Sequence, residues 1–389
     1  MKEKKVLFTY SRDIDINDSG AARTLILLIK YLSNNGYECH CLFNIEDGPQ
    51  DNVVYHKKSS NEVEQVYDIV TANNIPIVLA CEGRLYASKL SSALKNTSCK
   101  LVTALHSKPG YDRKRLYILL YESMRYNTSC IKRVRAALML LFYPIFYVLY
   151  CIKDYRTFRS TYKNSDILVL LSDPFIKEFS HIYHVGTEKL RAICNPVSFD
   201  TYADIPVIKN KERKILIVAR FEERSKRLLT ALKIWGLLQE EWQDWKLVIV
   251  GYGRSHPLYQ DYIKKHNIQR VEFTGKQPPL DYYRAASLFM MTSAYEGWGM
   301  TIVESMQMGC VPVAMDSYSS LHEIIDDKVN GFIVPNDDVK QYASVLNDLM
   351  KNKELRIELG LNAVEKTHLW EPDKVCGKYK ALFDEIINK

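Results

Sequence analysis

Short apolar runs alternate with segments of helical period along this chain, and the alternation runs twice. The first series is VLFTY (6–10), a helix from about Gly20 to Asn35 stopped by Gly36, CHCLF (39–43), a helix near 61–73, IPIVLA (75–80) and KLVTAL (100–105), resuming at DILVLLS (166–172) and LRAICNPV (190–197). The second is ILIVARF (215–221), a helix to about Gln239, KLVIVGYG (246–253), a helix near 257–266, VEFTG (271–275), SLFMMTS (287–293), VPVAM (311–315) and GFIVP (331–335). Apolar runs of four to eight residues separated by helices predict βαβ units and a parallel sheet buried on both faces. Two such series predict an α/β chain of two doubly wound domains, and a chain of 389 residues is long enough for both. The expected boundaries are 1–198 for the first domain and 199–370 for the second, with 371–389 a helix that packs back on the first. The polar stretch 198–214 reads as the linker, and ligands are expected in the cleft beyond the carboxyl ends of the strands.

Composition removes several classes. Nine cysteines, scattered and without a CxxC pair, signal neither a disulfide framework nor a structural zinc site. The start, MKEKKVLFTYSRD, is too short in apolar residues for a signal peptide, and a reducing cytoplasm is the expected compartment. Net charge is +7, but the segment 107–163 alone carries twelve Lys/Arg against three acids, a local +9. Within it lies AALMLLFYPIFYVLYCI (136–152), seventeen uncharged positions interrupted by Pro144. A transmembrane helix, a buried core helix and an interfacial element all fit such a run. Its short length, its proline, its basic flanks and Tyr143, Phe146, Tyr147 and Tyr150 favour the interfacial element, seated on anionic headgroups. No nucleic-acid-binding module accompanies the basic residues, so nucleic acid is not an expected partner.

The chemistry concentrates in AYEGWGMTIVESMQMGCVPV (294–313), where Glu296 and Glu304 stand eight positions apart around a Gly-Trp-Gly turn. On one helix eight steps leave two side chains about 80° out of register and about 12 Å apart, so a shared helical face is a poor account. A loop leaving the strand SLFMMTS, then a short helix from Met300 to Met308 closed by Gly309, fits better. The unpaired N–H groups near Gly299, Met300 and Thr301 then form a phosphate seat, and Glu304 looks out from the helix flank. Arg220 and Lys226, in IVARFEERSK, supply cations for a diphosphate leaving group without a metal ion or other cofactor. DID at 13–15 reads as an acidic surface loop rather than a metal-binding DxD. GYG at 251–253 either bounds a nucleotide pocket or is a plain turn.

Taken in order, R-x5-K at 220–226, E-x7-E at 296–304, the following G-x-x-P-V, and HEIIDDKVNGFIVP resemble the donor-site signature of the family 4 retaining glycosyltransferases, which have the GT-B fold of two facing Rossmann-like domains. The match covers most of 214–337. The first half is more weakly similar, through SGAARTL (19–25) and the histidine ending TALH (103–106). The resemblance implies that Glu296 binds donor-sugar hydroxyls, Glu304 the ribose, and Arg220 and Lys226 the diphosphate, with the amides of Met300 and Thr301 beside them. It implies that His106 touches the donor sugar, that Gly20 lets the first loop approach the diphosphate, and that the leaving phosphate itself takes the acceptor's proton. Ser19 and Ala22 depart from the family pattern and put the shape of the first loop in question. The expected activity is transfer of a hexose or N-acetylhexosamine, from a UDP-linked donor, to a glycan or lipid-linked saccharide in bacterial surface-polysaccharide assembly. The expected place is the inner face of the cytoplasmic membrane. A nucleotide-sugar epimerase of the same fold and a catalytically silent scaffold are the alternatives.

Overall fold

The structure is a computed structural model that describes residues 4–10, 20–43, 45, 48, 51–81, 83–110, 116–127 and 129–388. The DID run at 13–15 and Ser19 lie outside them. The chain divides into two compact units: Met1–Gly110 with Ile152–Ser198 and Leu369–Lys389, and Tyr111–Cys151 with Phe199–His368.

The first unit is built on a seven-stranded sheet, β1 (Lys5–Thr9), β2 (Glu38–Leu42), β3 (Val53–Tyr55), β4 (Ile77–Ala80), β5 (Lys100–Ala104), β6 (Ile167–Leu170) and β7 (Leu190–Ala192), in the order β3-β2-β1-β4-β5-β6-β7. Every pairing is parallel. The strands are Val-, Ile- and Leu-rich and buried along nearly their whole length, as strands covered on both faces must be. β3 was not anticipated: VVY is three residues long and half exposed at the sheet edge, too short to register as an apolar run. The last helix, Pro372–Asn388, lies against Gly20–Asn34. Tyr37 Oη donates to Asp384 Oδ1 at 2.9 Å, and Lys4 Nζ reaches the same carboxylate at 2.8 Å.

The second unit repeats the plan with six parallel strands: β8 (Glu212–Val218), β9 (Lys246–Val250), β10 (Val271–Gly275), β11 (Ala286–Met291), β12 (Val311–Asp316) and β13 (Phe332–Pro335), ordered β10-β9-β8-β11-β12-β13. Trp235, Trp245, Tyr259 and Tyr342 fill its core, all fully buried. In both sheets the strand order turns back on itself once, between β1 and β4 and between β8 and β11, which is where doubly wound folds open a crevice for ligands. The expected pair of doubly wound α/β units, the GT-B plan, is what the two sheets form.

The stretch 198–214 is more ordered than a linker. Asp204 Oδ1 accepts from Val207 N at 3.0 Å and caps the helix Ile205–Lys209, Pro206 suits its first turn, Ile208 is buried, and β8 already begins at Glu212. The basic insertion also divides differently from the boundary read at 198. Its helices Leu116–Tyr126 and Cys130–Leu141 belong with the second unit, because the first of them packs on the turn Glu223–Lys226.

Candidate functional site

The site of the second unit grows from the two loops that leave β8 and β11 on either side of the crevice. The β8 loop can run where it does because Gly251 stands against it. At φ +146° a Cβ on Gly251 would collide with the Ala219 carbonyl oxygen, and Phe221 N donates to Tyr252 O at 2.7 Å. GYG is therefore a backbone brace for the loop that carries Arg220, a sharper role than either reading of the motif alone. Arg220 itself is exposed.

Beyond Arg220 the chain makes one helical turn, Glu223–Lys226, and stops at Arg227 in the left-handed region (φ +52°). Arg227 is 3% exposed and spans to the other loop: its Nε donates to Thr292 O at 2.6 Å, and its Nη1 pairs with Asp337 Oδ1 at 2.8 Å. Thr292 answers by donating Oγ1 toward the carbonyls of Lys226 and Arg227, both at 3.1 Å, and Ala294 N donates to Ser225 O at 2.7 Å. The result is that Lys226 Nζ and Glu296 Oε1, seventy residues apart in sequence, meet at 2.5 Å with side chains 18% and 15% exposed. The two form a charge-assisted hydrogen bond at the rim of the crevice.

Gly299 opens the following helix, Met300–Gln307, from φ +95°, and a Cβ there would sit 2.9 Å from Tyr318 Oη. A side chain at 299 would be strained by the backbone and crowded by the ring. Burial pushes the Tyr318 phenol well above its ordinary pKa, and the neighbouring Glu296 charge adds to the shift, so it stays a neutral wall of the loop. Ile302 N and Val303 N both turn back to Gly299 O, at 2.9 and 3.2 Å. The amides of Met300 and Thr301, at the head of the helix, have no carbonyl a turn earlier to bind. Lys226, Glu296 and Thr301 line one narrow recess of about 10 Å³, floored by Phe289 to Ser293.

The structure thus brings together Lys226, Glu296, Gly299, Met300 and Thr301, with Arg220 on the same loop as Lys226. Glu304 stands elsewhere than its expected place on an open helix flank. It is 1% exposed and accepts a hydrogen bond from Tyr283 Oη at 2.9 Å, because the helix Leu280–Ala285 packs a buried tyrosine over it. Gly20 and His106 lie in the first unit: Gly20 is the first residue of the helix after β1, and His106, half-buried, follows the carboxyl end of β5. Sequence reasoning missed Arg227 and Thr292. A second basic residue after Lys226 looks like another surface charge, and only the left-handed backbone turns it inward.

Comparison with known proteins follows this geometry. Residues 198–366 match the family described as glycosyl transferases group 1. The chain is similar over 385 residues, at 23% identity, to the amylovoran biosynthesis glycosyltransferase AmsD of Erwinia amylovora, covering 95% of this chain and 97% of that one. It is 22% identical over 207 residues to GalNAc-alpha-(1->4)-GalNAc-alpha-(1->3)-diNAcBac-PP-undecaprenol alpha-1,4-N-acetyl-D-galactosaminyltransferase of Campylobacter jejuni, over 53% of this chain and 57% of that protein. In fold it resembles the solved structure of Anabaena Alr3699/HepE in complex with UDP-glucose, with a TM-score of 0.68 at 15% identity over 98% of this chain and 99% of the other. The chain is a glycosyltransferase whose residues 198–366 match the family described as glycosyl transferases group 1.

Proposed function

We propose that the protein is a retaining, metal-independent hexosyl- or N-acetylhexosaminyltransferase of the family 4 type. Its donor is a UDP-linked sugar and its acceptor a glycan or lipid-linked saccharide in bacterial surface-polysaccharide biosynthesis. The observation that carries the reading is the Lys226–Glu296 pair beside the unpaired amides of Met300 and Thr301. A cation, a carboxylate and a helix head at one recess suit a donor that is anionic at its phosphates and hydroxylated at its sugar. The recess itself encloses only about 10 Å³, room for about one water, so it marks where the donor's charged groups would meet the protein rather than a pocket that takes the sugar whole. The names of the Erwinia and Campylobacter relatives and the UDP-glucose in the Anabaena structure support the choice of acceptor and donor class.

In this reading Glu296 binds sugar hydroxyls, and Lys226, released from it, joins Arg220 and the amides of Met300 and Thr301 on the diphosphate. Charge that grows on the departing phosphate is met by groups already in place, and that phosphate accepts the acceptor's proton on the face it leaves. His106 contacts the sugar, Gly20 permits close approach of the first loop, and Glu304 serves the ribose once Tyr283 yields one carboxylate oxygen. Isothermal titration with UDP- and GDP-sugars, followed by mass and anomeric analysis of products on lipid-linked acceptors, tests the reading. Absence of binding to every donor, or a product of inverted configuration, refutes it.

We further propose that the enzyme works at the inner face of the cytoplasmic membrane, through the segment 107–163. Among the described residues no single helix is long and apolar enough to cross a bilayer, but Cys130–Leu141 and Tyr143–Asn164 form a pair bent by 98°. The run 136–152 is not a core helix, since Leu141 is 71% and Ile145 64% exposed, with Leu138, Phe142, Val148 and Leu149 also open to solvent. Exposed Lys132, Arg133, Arg135 and Lys153 accompany them. Such a surface suits an anionic bilayer, with apolar residues in the acyl boundary and bases at the headgroups. Sedimentation with phosphatidylglycerol vesicles is expected to capture the protein and to weaken as salt rises. The double substitution Leu141→Asp, Leu149→Asp should abolish capture while donor binding persists; unchanged capture would remove the segment from the membrane.

A further inference from the structure

Helix Leu116–Tyr126 comes from the basic insertion, yet one of its side chains enters the polar interior of the second unit. Glu122 is 1% exposed, and its Oε1 accepts from Ser255 Oγ at 2.5 Å. Arg254 partly offsets the buried charge, with Nε 3.6 Å from Glu122 Oε2 and Nη2 3.5 Å from Glu222 Oε1. A buried carboxylate without such partners would be costly, so the arrangement holds only while all of them are in place.

Ser255 has a single hydroxyl proton, and Glu122 takes it. The Ser255 oxygen is thereby turned to accept from Glu223 N at 3.2 Å. Glu223 is the first residue of the one-turn helix that ends in Lys226, and its own Oε2 accepts from Leu229 N at 3.1 Å on the far side. The turn bearing Lys226 is thus fastened at its start by the relay Glu122–Ser255–Glu223 and at its end by Arg227.

We infer that Glu122 is a positioning residue for the donor's diphosphate: through Ser255 it fixes the turn Glu223–Lys226, so that the inserted helix Leu116–Tyr126 is part of the donor-binding machinery. The inference rests on the donor reading of Lys226. Without Glu122 the Ser255 side chain is free to leave its rotamer, its oxygen then moves off the Glu223 amide, and Lys226 is no longer held ready.

The test uses the full chain and whichever of UDP and GDP binds it more tightly by titration calorimetry. Glu122→Ala and Ser255→Ala are each expected to weaken that binding about tenfold, the scale of one hydrogen bond to a charged group. Donor KM should rise in proportion, with kcat falling no further than in Lys226→Met and acceptor KM unchanged. The double variant should bind no more weakly than either single one, because both cut the same relay. Glu122→Gln keeps an oxygen for Ser255 and should retain most of the affinity. Ser255→Ala leaves Arg254 beside the carboxylate, so it still reads the relay if Glu122→Ala fails to fold. Wild-type affinity in Ser255→Ala, additive losses in the double variant, or a fall in kcat with donor KM unchanged would each overturn the positioning role. If the wild type binds neither nucleotide, the donor reading fails and takes this inference with it.

Discussion

Lys226→Met is expected to lower the transfer rate by about 10²- to 10³-fold while the protein stays folded, the loss typical when one preorganised group facing a developing charge is removed. The side chain is 18% exposed and, among the described residues, bonds only to Glu296, so its removal empties no core and breaks no backbone bond. What disappears is a cation within reach of Met300 and Thr301, where the departing phosphate would gather charge. Methionine keeps the length and the apolar stem, which separates charge from packing. If the loss falls on kcat as well as kcat/KM, the ammonium acts in the transition state; if it falls on KM alone, it serves binding only. Glu296→Gln, measured in the same assay, should lose a comparable factor, since an amide keeps the shape but not the charge. The two losses should not sum in the double variant, as the residues contact each other. Near-normal turnover in either single variant would remove that residue from the site.

Arg227→Ala should destabilise the protein by about 3 kcal/mol, the upper end of the cost of removing a buried charged donor and stranding its acceptor, since its partner Asp337 is itself exposed. Here the substitution leaves the Thr292 carbonyl without its donor and frees the loop after β11 from the turn Glu223–Lys226. For a unit of this size the midpoint of thermal unfolding should fall by roughly 6–12 °C. Arg227→Lys should not rescue it, because one ammonium cannot reach Thr292 O and Asp337 together as the planar fork does. Calorimetry checks both, and a shift of a degree or two would mean that the left-handed turn holds without its arginine.

Legibility in the sequence followed the range of the forces involved. The strands were readable because parallel strands buried on both faces must be continuous apolar runs, and each run contains its own signal. The loop 296–300 was readable for a similar reason: the glycines, the helix start and the carboxylate are neighbours, and Gly299 does take the positive φ that the turn needs. Lys226 and Glu296 meet across seventy residues, and the ordered motifs anticipated their use at one site though not their direct bond. Residue type alone could not reveal which charges would be buried. Glu304, Arg227 and Glu122 look like surface residues until Tyr283, Thr292 and Ser255 arrive from elsewhere in the chain, and no local period encodes those meetings. The stretch 198–214 misled because polar composition hid a capped helical turn.

Neither unit is a continuous length of chain, and this sets a timetable for synthesis. Tyr111–Cys151 leaves the ribosome long before the rest of its unit, Phe199–His368, exists, and the first unit also waits for Leu369–Lys389. At about 5–20 residues per second, the 133-residue separation makes Glu122 wait roughly 7–27 s for Ser255. The folding of both units is thus deferred toward the end of translation. No contiguous gene fragment encodes either unit whole, so a fragment cut at Phe199 would lack the helix that carries Glu122 into the second unit's interior.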